Sequence, residues 1–144
     1  MIIDSHCHLT YEPMSNALNE TINRANKDGI KYMLTISTED KSFEQILKIV
    51  NGYESVYGTY GIHPHEAKSH QHIKSDDIIN KVNQNKKIIG IGETGLDFYY
   101  NHSEKKDQIF SFEEHISAAQ EKNLPLIVHT RSAEKETLQI LEKH

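Results

Sequence analysis

Short β-rich runs alternate with segments of helical periodicity along the whole chain. After an apolar run at the N-terminus, the β-rich runs are residues 32–36, 56–62, 88–92 and 126–128. The segments between them place apolar residues three and four positions apart, as with Phe43, Ile46 and Val50. Such spacing is typical of helices with one buried side. The alternation therefore predicts an α/β fold in which five strand–helix units form a parallel sheet with helices outside it.

Length and composition exclude several classes of protein. A chain of 144 residues is enough for one domain with a hydrophobic core, so we expect a single domain over residues 1–144. The formal charge of −5 argues against a broadly basic nucleic-acid-coating surface, but not against a nuclease that binds phosphate through metal ions. One cysteine excludes an internal disulfide framework.

The sequence also lacks the signals of membrane insertion and secretion. No apolar stretch approaches the roughly 20 residues that a bilayer-spanning helix needs. The N-terminus has neither the charged region nor the long apolar run of a signal peptide. We therefore expect a cytoplasmic protein without membrane contact.

The first strand ends in two histidines, His6 and His8. Side chains alternate faces along a strand, so these two imidazoles point the same way. Imidazole is the commonest protein metal ligand, and a pair on one strand face is typical of a metal site. The alternative is a pair of polar strand-end residues that hydrogen-bond to the backbone.

Polar side chains follow the other strands as well. His63 and His65 end the third run, Glu93 and Asp97 follow the fourth, and His129 and Arg131 end the fifth. The carboxyl ends of parallel strands meet at one edge, and ligands bind there in folds of this class. We therefore expect these residues to lie near His6 and His8.

Residue type suggests different roles within this group. Glycines flank Glu93, so this carboxylate can enter a crowded centre and bridge two cations, although a helix cap or an ion pair would explain it too. His129 alone could be a core histidine, but beside His6 and His8 it becomes a candidate ligand. For His63 and His65 a substrate-facing or supporting role competes evenly with solvated loop histidines.

Four motifs together resemble a known family. Asp4-Ser5-His6-Cys7-His8-Leu9, Gly61-Ile62-His63-Pro64-His65, Gly92-Glu93-Thr94-Gly95-Leu96-Asp97 and Val128-His129-Thr130-Arg131 follow one another over the whole chain. In this order and spacing they are similar to the TatD family of metal-dependent deoxyribonucleases. The resemblance implies a (β/α)8 barrel with two divalent metal ions that hydrolyses DNA phosphodiester bonds.

The resemblance also assigns roles by position. His6 and His8 would bind one metal, His129 would bind the second, and Glu93 would bridge both and act in catalysis. Apart from the resemblance, we expect His63, His65, Asp97 and Arg131 to support the site or face the substrate, with Arg131 adding charge near the phosphate. Asp97 could instead simply fix its loop. The motifs do not distinguish Mg²⁺, Mn²⁺, Zn²⁺ and Co²⁺.

The chain differs from this family in extent. The resemblance implies a further ligand histidine and a catalytic aspartate, and neither occurs before His144. A complete barrel typically takes about 250 residues, so we expect the first five of eight units and a partial metal site.

Two alternatives stay open. A partial barrel could act as an interaction or remnant module that self-associates through exposed sheet edges. An amidohydrolase for a small amide or ester would share the His-x-His start. The stretch Gly-Glu-Thr-Gly-Leu-Asp favours the nuclease.

Overall fold

Five parallel strands form one sheet in a computed structural model that describes residues 1–144. The strands are β1 (Ile2–Cys7), β2 (Ile30–Thr35), β3 (Val56–Tyr60), β4 (Ile88–Asp97) and β5 (Leu126–Arg131). They lie in chain order, so each strand pairs with the strand that precedes or follows it. The sheet curves into half of a barrel with helices outside, which confirms the predicted α/β barrel fold.

A helix follows each strand. The helices are α1 (Leu18–Lys27), α2 (Phe43–Gly52), α3 (Ser75–Val82), α4 (Lys105–Lys122) and α5 (Glu134–Lys143). Short 3-10 turns at Ser15–Ala17, Asp40–Ser42 and Pro64–His70 were not predicted from the sequence. The last of these turns carries His65 and begins directly after His63. No helix is both long enough and apolar enough to cross a bilayer.

The main hydrophobic core lies between the outer face of the sheet and the helices. Phe43 and Ile46 of α2 and Ile78 of α3 are at most 1% exposed, as are Tyr60 of β3 and Ile91 of β4. Each fully buried aliphatic or aromatic side chain of this kind contributes roughly 1.5–3 kcal/mol of transfer free energy. This core therefore fixes the strands, and with them the positions of their carboxyl ends.

The inner face of the sheet is open. Ile3, Tyr32 and Ile89 are between 39% and 55% exposed and line an apolar cavity of about 410 Å³. Ile89 is apolar yet exposed on this face. The helices cover the outer face alone, since the inner face of a barrel is covered by the strands opposite.

Strands β4 and β5 continue further than the sequence pattern predicted. Glu93 and Asp97 lie inside β4, and His129 and Arg131 inside β5, rather than in the loops that follow. Gly92 and Gly95 permit this, because both have positive φ and a Cβ at Gly95 would overlap the carbonyl oxygen of His129. The two backbones therefore approach so closely that only glycine fits.

Candidate metal centre

Glu93 of β4 lies between histidines of two other strands at the carboxyl-end rim of the sheet. Its side chain is 12% exposed, with Oε2 3.5 Å from Nε2 of His6. Its Oε1 is 3.3 Å from Nδ1 of His129. The backbone N–H of Glu93 donates to the carbonyl of Ser37 at 2.8 Å. One carboxylate therefore connects the first strand to the fifth.

His6 and His8 form the first side of the site. Their ring centroids are 5.1 Å apart, so the predicted convergence of the two imidazoles is present. Tyr11 stacks on His8 at 5.0 Å, and its hydroxyl lies 2.6 Å from Thr38 Oγ1. The Nδ1 atom of His8 is buried without a hydrogen-bond partner. This ring nitrogen therefore makes no hydrogen bond of normal geometry, although the backbone of Ile36 lies beside the ring.

His129 forms the second side and lies between two carboxylates. Asp97 is fully buried, and its Oδ2 accepts from Nε2 of His129 at 3.1 Å and from Nε2 of His65 at 2.8 Å. An ionised carboxylate can only accept, so both Nε2 atoms carry protons. The Nδ1 atom of His129 is then left to face Glu93, which is the arrangement of a ligand ring held by a supporting carboxylate.

Further hydrogen bonds hold Asp97 itself. Its Oδ1 accepts from the backbone N–H groups of Tyr99 and Tyr100, both at 3.1 Å. Gln108 of α4 accepts from the backbone N–H of Asp97 at 2.8 Å and donates to its carbonyl at 3.1 Å. The group that orients His129 is therefore fixed by β4, α4 and the loop between them.

His63 also approaches the centre. Its Nε2 is 3.3 Å from Nδ1 of His129, while its Nδ1 accepts from the backbone N–H of His65 at 3.2 Å. A neutral imidazole that accepts through Nδ1 carries its proton on Nε2. In that tautomer His63 points a donor into the site.

Protonation states follow from these contacts. Burial favours the neutral form of Glu93, but the hydrogen bond from His129 and the nearby imidazoles outweigh it and lower the pKa. The hydrogen bond to Glu93 raises the pKa of His129 against the effect of burial. Burial, followed by repulsion from His129, lowers the pKa of His63 to about 4. Glu93 and His129 thus each favour the charged form of the other.

Burial also lowers the pKa of His8, so that ring is neutral and has a lone pair to offer. His6, His8 and Glu93 present ligand atoms that all lie within 4.8 Å of one another, and so do His63, Glu93 and His129. Imidazole nitrogen and carboxylate oxygen suit Zn²⁺, Mn²⁺ and Co²⁺, and oxygen suits Mg²⁺. The residues present therefore fit divalent cations on either side of Glu93.

The structure brings the predicted site residues together at one rim. It places His63 nearer the centre than the sequence indicated, in a group that could hold a metal. Arg131 is exposed beside Tyr100, and its guanidinium makes no ion pair within the chain.

Sequence reasoning missed residues that line the site cavity of about 400 Å³. These are Tyr11, Thr38, Glu39 and Glu66. Each follows a strand by several residues, and no local spacing marks it. The one feature of the sequence that could have identified them is that they follow the carboxyl ends of strands.

Barrel enzymes carry their sites at the carboxyl ends of the strands, and imidazole and carboxylate groups there suit metal-dependent hydrolysis. The family described as TatD related DNase matches residues 3–144, and the chain belongs to this family. The resemblance stated from the four motifs is thereby confirmed.

Several relatives agree with this assignment. A protein of Buchnera aphidicola (subsp. Baizongia pistaciae) named as an uncharacterized metal-dependent hydrolase is 36% identical over 99% of this chain. A protein of Salmonella typhimurium named 3'-5' ssDNA/RNA exonuclease TatD is 30% identical over 98% of it. The crystal structure of YjjV, a TatD homologue from Escherichia coli K12, superposes with a TM-score of 0.83 at 25% identity over 99% of this chain.

The chain spans about half the length of these relatives. It covers 54% of the Buchnera protein, 54% of the Salmonella protein and 56% of the YjjV chain.

Proposed function

We propose that this chain is part of a divalent-metal-dependent hydrolase that cleaves the phosphodiester bonds of DNA. The observation that carries the proposal is the position of Glu93 between two sets of imidazoles at the strand ends. Membership of a family of metal-dependent hydrolases supports the reaction class. The name of the Salmonella relative supports nucleic acid as the substrate.

Four residues would hold the metal ions. His6 and His8 would bind one cation, His129 would bind a second, and Glu93 would bind both. Bound cations would polarise the phosphate and lower the pKa of a water molecule that attacks it. His63 would donate a hydrogen bond from Nε2 rather than ligate, which its contact with the backbone N–H of His65 supports.

The other groups of the chain would position the reactants. In the reaction the oxygen of water bonds to phosphorus, and the bond from phosphorus to the leaving sugar oxygen breaks as that oxygen takes up a proton. Arg131 would bind a phosphate, because its guanidinium is exposed and unpaired and suits phosphate geometry. Asp97 would keep the Nδ1 atom of His129 directed at the centre.

The test is hydrolysis of a single-stranded oligonucleotide by the purified chain with Mg²⁺, Mn²⁺, Zn²⁺ or Co²⁺. We expect metal-stimulated release of nucleotides that is lost in Glu93→Gln and kept in Leu138→Ala, which alters an exposed position on the outer helix α5. Absence of turnover above the metal-free background with all four ions would overturn the proposal for this chain. Hydrolysis of a small ester or amide but not of DNA would support the amidohydrolase instead.

The open inner face favours a second candidate, an interaction module. The cavity bounded by Ile3, Tyr32 and Ile89 is almost wholly apolar, and large exposed apolar surfaces mark sites of association. We propose that the chain self-associates through this face and its sheet edges. Light scattering coupled to size exclusion should show a dimer or larger species, and a well-folded monomer would contradict this.

The cytoplasmic location stays a prediction.

A further inference from the structure

An exposed group of aromatic rings lies beside the candidate metal centre. We call Tyr99, Tyr100 and His102 the aromatic ledge. Tyr99 is 64% exposed and Tyr100 is 50% exposed, and His102 is exposed as well. Single exposed apolar side chains are ordinary, but three adjoining rings at the rim of a site are a surface that a ligand can cover.

The ledge is held rigidly. Tyr100 has the guanidinium of Arg131 5.1 Å from its ring centroid, and the ring of His102 stacks with it at 5.7 Å and 14°. Tyr99 stands nearly perpendicular to Tyr100, at 89° with centroids 4.8 Å apart. The backbone N–H groups of both tyrosines donate to Asp97. The ring of Tyr100 is therefore contacted by Arg131, His102 and Tyr99, while the ring of Tyr99 is the more exposed of the two tyrosines.

The ledge is continuous with the centre through His65. The ring centroid of His65 is 5.7 Å from that of Tyr100 and 6.2 Å from that of His129. The buried carboxylate of Asp97 contacts His65, His129 and the backbone of both tyrosines. The ledge and the centre thus adjoin the same two residues, His65 and Asp97.

From this arrangement we propose that Tyr99 and Arg131 form a subsite for one nucleotide, in which the base stacks on Tyr99 and the phosphate binds Arg131. The inference rests on the proposed nuclease function and adds to it the residues that bind the strand outside the metal centre. Aromatic rings stack on any base, and an unpaired arginine binds phosphate without reading sequence. The subsite therefore selects single-stranded nucleic acid with unstacked bases and little sequence preference.

The test compares two strands of equal length and charge. One is a fluorescein-labelled oligothymidylate, and the other is an abasic strand that keeps the sugar and phosphate but lacks the bases. Affinities are measured by fluorescence anisotropy in EDTA, so that metal-dependent hydrolysis plays no part. We expect the wild-type chain to bind the oligothymidylate at least about 5-fold more tightly than the abasic strand, as one stacked base provides.

Variants separate the two contacts. Tyr99→Leu should remove the preference for the base-bearing strand, and Tyr99→Phe should keep it, because the aromatic face and not the hydroxyl is required. Leu138→Ala, at an exposed apolar side chain on the outer helix α5, is the control and should behave as wild type. Arg131→Gln should weaken the binding of both strands and reduce the slope of affinity against salt by about one.

Equal binding of the two strands by the wild-type chain, including no measurable binding of either, would overturn the subsite. An unchanged preference in Tyr99→Leu would overturn the role of Tyr99. A failure of the proposed nuclease function would be seen as absence of metal-dependent hydrolysis. The binding measurement in EDTA does not depend on hydrolysis, so the two failures can be told apart.

Discussion

The two sides of Glu93 are built differently. On the β5 side, His129 lies between Glu93 and the fully buried Asp97, with both ring nitrogens within hydrogen-bond distance of a carboxylate. On the β1 side, His6 is 42% exposed and the buried Nδ1 of His8 has no partner. On the β5 side both ring nitrogens of His129 thus have a hydrogen-bond partner, whereas on the β1 side the Nδ1 atom of His8 has none.

This difference indicates how the centre responds to a cation. A metal ion on the β5 side competes with the contact between His129 and Glu93, which favours a protonated ring. A metal ion on the β1 side meets the neutral ring of His8 and a carboxylate oxygen that is already anionic. We therefore expect the β1 side to bind first and the β5 side to bind more weakly at low pH.

Removal of the shared carboxylate should have the largest effect. Glu93→Gln keeps the size of the side chain but takes away the anionic ligand that both sides use. We expect Mn²⁺ affinity to fall at least about 100-fold at both sides, more than the loss typical for a supporting group. Isothermal titration calorimetry measures this, with Glu39→Gln, on the wall of the same cavity, as the control. Retained binding at the β1 side would show that Glu93 is not a shared ligand.

Asp97→Asn should affect the β5 side alone. An amide in place of the carboxylate can donate to Nε2 of His129 and so reverse the tautomer of the ring. We expect about 10- to 100-fold weaker binding of the second cation and little change for the first. Nitrogen-15 NMR of the histidine rings reports the tautomer directly. Asp4→Asn, which alters the hydrogen bond to the backbone of His6, is the control on the β1 side. Unchanged His129 resonances would contradict the assigned role.

His115 is a reference for both sides, because it is a buried histidine away from the carboxylates. It is 1% exposed, donates from Nδ1 to the carbonyl of Ser111 at 2.6 Å and accepts from the backbone N–H of Ile62 at 3.1 Å. Burial lowers its pKa to about 4. The unfolded chain therefore takes up this proton first as the pH falls.

The stability due to neutral His115 should be present in full above pH 6.5 and lost as the pH falls from 6.5 towards 4. The loss is at most about 3 kcal/mol. Urea denaturation across this range should show a shallower pH dependence in His115→Gln than in wild type. The exposed His72→Gln should follow wild type. Identical slopes in all three proteins would contradict this account of His115.

Tyr11→Phe should have the smallest effect. It keeps the ring that stacks on His8 but removes the hydroxyl that lies 2.6 Å from Thr38 Oγ1. We expect a loss of about 1 kcal/mol in unfolding free energy and no change in metal affinity. Thermal denaturation and calorimetry together test this. A large fall in metal affinity would mean that the Tyr11 hydroxyl itself contributes to metal binding on the β1 side.

The sequence predicted which strand ends meet but not how their side chains connect. His6, His8, Glu93 and His129 could be found because parallel strands place their carboxyl ends at one edge. The partnership of Asp97 with both His65 and His129 could not, because it depends on the turn that carries His65 and on the unpredicted length of β4 and β5. His115 escaped notice because its partner is a backbone N–H 53 residues away. Local spacing contains no information about such contacts.

The fold was easier to predict than the site. Alternating strand and helix patterns determine a parallel sheet, and the observed strands follow those patterns apart from the longer β4 and β5. The extension arises from close backbone contact at Gly92 and Gly95, which requires the positions of two strands at once. The roles of the site residues stay predictions until a metal is observed.

Anomalous scattering from a crystal soaked in Mn²⁺ tests the central claim most directly. The account predicts a first peak in contact with His6, His8 and Glu93, and a second, weaker peak in contact with Glu93 and His129. Absence of any peak at Glu93, or a peak held by other residues while these side chains keep their positions, would contradict it.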